Sequence, residues 1–153
     1  MTTPNDKWPI LIELTFPAAQ QDLWEKWTTK EGIESWWGPE GVNSTVRELE
    51  FQAGGRLEIV MRPIDSEGEE NSIVEKITFT DITPMTCICF TDRFPGMPDV
   101  EPYDVICEVT FQPAPEGTKT TFASSGMHRD DWTEYATYGW RSAFQKLAAS
   151  LSP

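Results

Sequence analysis

Histidine occurs once in this chain, at position 128, and cysteine three times, at 87, 89 and 107. A lone histidine removes most nucleophilic designs at once, because any Ser-His-Asp arrangement has to pass through it. Ser124 and Ser125 lie close by, but neither sits in a nucleophile-elbow sequence, and His128 reads as a polar linker residue ahead of the last helix. An odd number of cysteines cannot be fully paired. Cys87 and Cys89, two apart in an alternating run, would need unusual geometry to bridge, so reduced thiols in a reducing compartment are expected. Structural zinc sites use wider cysteine pairs, so no metal and no cofactor is expected either.

Basic residues are also scarce: 12 Lys and Arg stand against 25 Asp and Glu, a formal net charge of −13. Nucleic-acid affinity draws on cations that neutralise phosphates, and anionic membranes repel an acidic chain. Neither is an expected partner. No apolar run approaches the ~20 residues that cross a bilayer, and residues Met1 to Pro9 lack the basic and apolar regions of a secretory signal. A cytoplasmic protein is the expectation. Neither an internal repeat nor a linker is visible. The chain reads as a tail over 1–9 and one domain over 10–153, a size that needs no disulfide or metal to fold.

Tryptophan, by contrast, is abundant, with seven in 153 residues. Ile10, Ile12, Leu14 and Phe16 alternate with polar neighbours and predict a strand closed by Pro17. Leu23, Trp24 and Trp27 have helical spacing, predicting a short helix over Ala18 to Thr28. A second is predicted over Lys30 to Trp36, stopped by Gly38-Pro39. From Val42 to Phe122 the pattern is strand and turn. It includes Leu57, Ile59 and Met61 after Gly54-Gly55, a hairpin loop over Asp65 to Asn71, and strands over Ile73 to Ile82 and Thr86 to Arg93. A Pro/Gly-rich loop over Phe94 to Pro102 is a candidate lid. Tyr103 to Gln112 and Thr118 to Ser125 complete an antiparallel meander. Trp132, Tyr135, Ala136, Gly139, Trp140, Ala143, Phe144, Leu147, Ala148 and Leu151 then follow helical spacing. Asp131 and Glu134 suggest a capping box, and this long helix must lie on the sheet.

Ile12 to Phe16 with Pro17-Ala18, Leu23-Trp24-Glu25-Lys26-Trp27-Thr28, Trp36-Trp37-Gly38-Pro39, Gly54-Gly55-Arg56, Gly139-Trp140 and Leu147 resemble the SRPBCC (START-like) superfamily. Within it they are most similar to the bacterial homologues of the activator of heat-shock-protein-90 ATPase. The resemblance spans about Ile10 to Leu151. It implies an α+β helix-grip (START/Bet v-like) fold. A curved antiparallel sheet of about six or seven strands would carry two short helices after the first strand and a long C-terminal helix packed across it. It also implies a cavity suited to apolar molecules.

Expected cavity residues are Trp37, Leu57, Ile59, Met61, Ile77, Phe79, Ile88, Phe90, Trp132, Tyr135 and Trp140. Of these, Trp132 and Tyr135 are expected to mark the opening, and the competing expectation is that the set simply fills a core. Binding of an apolar small molecule is the leading expectation. A protein-interaction or co-chaperone-like domain, including a homodimer, is the alternative, using an exposed patch in the loop Phe94 to Pro102 or the early tryptophans. An enzymatic reading would need a buried polar group in the cavity, with Glu75, Tyr135 and His128 the nameable candidates. Glu58 and Glu75 are the carboxylates on strands, with Arg56 and Arg62 as surface partners; Glu75 shares the alternating face of Ile73 and Ile77.

Overall fold

The computed structural model describes residues 6–65 and 72–151. The order is β1 (Ile10–Phe16), α1 (Gln20–Thr28), α2 (Lys30–Glu34), β2 (Val42–Leu49), β3 (Arg56–Pro63), β4 (Ile73–Thr83), β5 (Cys87–Phe94), β6 (Tyr103–Ala114), β7 (Gly117–Ser124) and α3 (Asp130–Leu151). The predicted hairpin loop over 65–71 lies outside the described residues except for Asp65. No helix among the described residues is long and apolar enough to cross a membrane.

All seven strands form one antiparallel sheet in the order β1-β7-β6-β5-β4-β3-β2. Alternation sorts the faces. Leu57, Ile59, Ile77, Phe79, Ile88, Phe90, Val109, Phe111 and Phe122 are buried on the inner one. Breaks in register between Val46 and Glu48 and between Phe79 and Asp81 bend β2 and β4, as an extra residue in one strand does, and the sheet curls. Gly54 and Gly55 pin one of these bends. The Gly54 amide donates to the Phe79 carbonyl at 2.8 Å, and the Phe79 amide donates to the Gly55 carbonyl at 2.9 Å. Gly54 has φ +84°, and a Cβ on Gly55 would stand 2.0 Å from the Glu50 carbonyl oxygen. Only glycine fits both positions.

The early tryptophans belong to the core. Trp27, Trp36 and Trp37 are buried together, with ring centroids 4.7 to 6.1 Å apart, and meet Phe111 and Phe144. The Trp36 indole N–H donates to the Lys26 carbonyl at 2.8 Å, which leaves its buried ring without an unpaired donor. Trp24, half-buried, lies edge-on to Phe51 and Phe111. The expectation that these rings present a protein-binding surface is therefore corrected, because packing them inside hides far more apolar area than an exposed patch would leave.

Helix α2 is shorter than its apolar pattern predicts, ending at Glu34 with Ser35 as its C-cap. The capping box expected at α3 is not the device used either. The helix begins at Asp130, so Asp131 lies inside the first turn. Its carboxylate instead receives Nε and Nη2 of Arg129 at 3.0 and 2.6 Å. Ser142 and Lys146 tie the second half of α3 to the loop after α2. The Glu40 amide donates to the Ser142 hydroxyl at 2.8 Å. The Lys146 ammonium lies 3.2 to 3.5 Å from the carbonyl oxygens of Trp37, Gly38, Pro39 and Val42. Desolvation lowers its proton affinity, with Glu40 acting in the opposite direction.

Candidate functional site

Between the inner face of the sheet and the first half of α3 lies a cavity with two lobes of about 240 Å³ each. Helical geometry sets its roof. Ala136, Gly139, Trp140 and Ala143 recur at three and four residues and so share one stripe, and all four line the first lobe. The opposite wall is Trp37-Gly38-Pro39, held in place by Lys146 and Ser142, with Ser44 donating to the Trp37 carbonyl at 2.7 Å. Gly38, at φ +88°, turns the chain there, and a Cβ would stand 2.7 Å from a methyl of Val42. The second lobe extends under β4 and β5, where Ile73, Val74, Phe94, Pro95 and Val105 form its sides and Ile10, Cys107 and Ser124 its floor. Met61, Glu75, Asp92, Ala136 and Trp140 border both lobes.

Two carboxyl groups stand at that junction. Glu75 follows the inward alternation of Ile77 and Phe79 on β4, and Asp92 that of Ile88 and Phe90 on β5. Ile77 pairs with Asp92, so Glu75 is Asp92's diagonal neighbour, within reach for long side chains. The Trp37 indole N–H donates to Glu75 Oε1 at 2.7 Å. Asp92 hydrogen-bonds Glu75 and is half-buried at the border of the cavity. Burial first, and the Glu75 charge second, hold Asp92 well above the usual carboxylate range. The site thus favours the protonated form of Asp92, hydrogen-bonded to Glu75.

Other polar groups nearby are already committed. The Cys107 thiol, raised mainly by burial, lies 3.6 Å from the Ser124 hydroxyl, which donates to the Ser125 carbonyl at 3.0 Å. Ser125 accepts the Ile106 amide at 2.8 Å. His128 Nδ1 and the Tyr103 hydroxyl are 2.8 Å apart, and the histidine ring packs between Phe94 and Trp132. Neither serine is thereby joined to the histidine. On the outer face Cys87 and Cys89 lie 3.7 Å apart beside Glu108. Burial leads in raising both thiols, Cys89 to about 12.

The eleven expected cavity residues divide sharply. Trp37, Met61 and Trp140 line the lobes. Leu57, Ile59, Ile77, Phe79, Ile88 and Phe90 lie deeper and are packed core, with only about 10 Å³ left among five of them and the rings of Trp27 and Trp37. Trp132 backs the second lobe through Phe94, with ring centroids 5.8 Å apart. Tyr135 is a correction: it is 76% exposed and shares the outer face of α3 with Tyr138. One residue of helix is about 100° of rotation, so adjacency to Ala136 turns Tyr135 out. The three groups named for an enzymatic reading, Glu75, Tyr135 and His128, are not brought together at the cavity. Glu58 pairs with Arg47 at 3.5 Å rather than with Arg56 or Arg62. Of the candidate lid, only Phe94 and Pro95 touch the cavity, while Met97 and Val100 exchange backbone hydrogen bonds.

Asp92 is absent from the sequence expectations, although its signal was available in the alternation Ile88, Phe90, Asp92. Ala136 and Gly139 were read as helix spacing and not as cavity wall.

A curved antiparallel sheet gripping a long C-terminal helix over a cavity defines a helix-grip, START-like protein. The family model described as Activator of Hsp90 ATPase homolog 1-like protein matches residues 17–152, and the chain belongs to that family. Solved structures of the same shape include protein CV1439 from Chromobacterium violaceum, with a TM-score of 0.79 and 22% identity, covering 94% of this chain and 97% of that one. The AHSA1 (SPO3351) protein from Silicibacter pomeroyi has a TM-score of 0.77 and 21% identity, over 93% and 96% of the two chains. DynU16, a putative protein in the dynemicin biosynthetic locus, has a TM-score of 0.72 and 18% identity, over 97% of this chain but 48% of its own. No protein of curated function matches the sequence significantly.

Proposed function

We propose that the chain is a binding module that holds one apolar small molecule between the sheet and α3. The observation that carries this reading is the two-lobed cavity itself. Its walls are mostly aliphatic and aromatic side chains, with Glu75 and Asp92 at the junction of the lobes and Arg93 and Ser124 at the second lobe. Small-molecule sites have this composition, an apolar envelope with a few placed polar groups. A packed core of the same residues would have drawn Trp140 and Met61 inward to native density. Instead both stay half-buried at the border of the space.

The test is saturable binding of a neutral apolar dye, Nile red, followed by its emission, together with native mass spectrometry of protein purified from its own host. One-to-one binding is expected, and Gly139→Phe, which puts a ring into the first lobe, is expected to weaken it at least tenfold. A bare protein that binds no dye, or a Gly139→Phe variant that binds as well as the parent, would overturn the reading.

A protein-contact reading has one specific support, the pair Tyr135 and Tyr138, 76% and 71% exposed on the outer face of α3. Rigid aromatic rings of this kind favour protein contacts. Light scattering across a hundredfold range of concentration tests self-association through that face; a mass independent of concentration would leave it without support.

A further inference from the structure

The geometry points to the class of occupant: an apolar molecule carrying one protonated amine, seated with its ammonium on Glu75 and Asp92. This rests on the ligand-cavity reading and adds to it a sign of charge. Among the described residues, one basic residue borders the cavity, Arg93 in the second lobe, and its guanidinium is engaged with Asp104 at 3.2 Å. Facing the pair are Met61 from β3, Cys107 from β6, Ser124 from β7, Ala136, Gly139, Trp140 and Ala143 from α3, and Trp37 to Pro39 from the loop after α2. Lys146 is bound to four carbonyls behind that loop, and Arg93 reaches Asp104 rather than the pair.

Hydrogen-bond capacity is lopsided in the same sense. A carboxyl group has more acceptor sites than donors, and Glu75 accepts one hydrogen bond from Trp37 and shares one with Asp92. At the junction of the lobes the side-chain donors are engaged: Trp37 on Glu75, Cys107 on Ser124, and Ser124 on the Ser125 carbonyl, with Arg93 turned to Asp104. A ligand that brings donors to the junction therefore finds acceptors there more readily than a ligand that brings only acceptors finds donors. A ligand carboxylate would bring a further acidic group to an acidic junction, at low local dielectric. An ammonium has three donors and offsets the negative charge that the pair carries. Trp140, which borders both lobes beside the pair, offers in addition a ring of the kind that attracts cations. The site thus selects against fatty acids, the acidic ligands that an apolar pocket alone would admit.

Three probes of one shape test this: 1-naphthylmethylamine, 1-naphthylmethanol and 1-naphthoate, titrated by calorimetry and tryptophan quenching at neutral pH. The amine is expected to bind at least tenfold tighter than the alcohol, as a charge-assisted hydrogen bond warrants, and the carboxylate weakest. Glu75→Gln is expected to bring the amine-to-alcohol ratio to within about twofold of one, while alcohol affinity stays within about twofold of the parent. Asp92→Asn, nearly the shape of the protonated acid, provides a second variant if Glu75→Gln does not fold, and should lower the ratio in the same direction. Equal binding of amine and alcohol, or a ratio that neither variant changes, overturns the amine assignment alone. Failure of all three probes to bind overturns the ligand cavity, and the assignment with it.

Discussion

Gly139 is the position where a cavity and a packed core make opposite predictions. It lies inside the 22-residue helix α3, half-buried and facing the first lobe, and a Cβ built on it meets nothing within 4 Å. In a helix interior glycine is about 0.8–1.0 kcal/mol less favourable than alanine, partly because the unfolded chain loses more freedom at glycine on folding. The added methyl group would touch open space, so no overpacking opposes the gain. Gly139→Ala should therefore stabilise the protein by about 1 kcal/mol, which for a chain of this length raises Tm by about 2–4 °C. Were the space filled in solution by shifted side chains, the same methyl group would be forced into a packed site at a cost of about 1–3 kcal/mol, and Tm would fall. Differential scanning calorimetry of both proteins, with urea unfolding to check that the m-value is unchanged, reads the sign directly. A lower Tm for Gly139→Ala would refute the open first lobe, and with it the main support for ligand binding.

Asp92→Asn should gain stability over the parent as pH rises from about 4 to neutral. Below the ordinary value of 3.8 both folded and unfolded states hold the proton. Above it the unfolded chain releases the proton while the folded state keeps it, so the parent alone loses stability until its raised value is passed. Urea midpoints at pH 4 and 7.5 check this, and a constant difference between the two proteins would contradict it. Lys146→Met should cost about 1–3 kcal/mol in the same assay, because several loop carbonyls lose a shared charged donor; a change below a few tenths would mean that water replaces the ammonium freely. Native Cys89, with its thiol near 12, should react with iodoacetamide at pH 8 about 50–100-fold more slowly than an unperturbed thiol of pKa about 8.5, since its smaller thiolate fraction is partly offset by greater nucleophilicity. Labelling followed by peptide mass spectrometry tests that figure, and equal native and denatured rates would exclude it.

The elements were legible because their apolar periods are long and clean. β1 falls where Ile10 to Phe16 alternate, and α3 covers the helical spacing that ends at Leu151. Boundaries shifted where a distant segment supplied a partner. Helix α1 starts at Gln20 rather than Ala18 because the Ala18 carbonyl accepts the Thr118 hydroxyl, and its amide donates to Phe16. Helix α2 stops at Glu34 although Trp36 and Trp37 continue the apolar pattern. Their rings are required by the core and, for Trp37, by Glu75, and a continued helix would point them elsewhere. Such partners lie about 10 to 100 residues away in sequence, beyond any local period.

The site was less legible than the fold for a related reason, and Asp92 makes the reason concrete. Alternation puts Glu75 and Asp92 on the inner face of their strands, and this can be read from either strand alone. Whether they meet depends on register, and between them lies the bulge at Phe79 to Asp81. A slip of one residue reverses every side chain on a strand, whereas a bulge absorbs one residue without reversing the strand beyond it. Without that bulge the turn at Thr83-Pro84-Met85 would carry Asp92 past Glu75 or to the outer face. The irregularity that curls the sheet around α3 is thus also what brings two acids together beneath it. Curvature makes the space, and because Thr80 is left out of the ladder Asp92 rather than Arg93 stands opposite Ile77. Deleting Thr80 should leave Ile77 opposite Asp92, and so the carboxyl groups adjacent, while flattening β4. Loss of Nile red binding by a folded variant is the expected result, and unchanged binding would contradict the link between the bulge and the cavity.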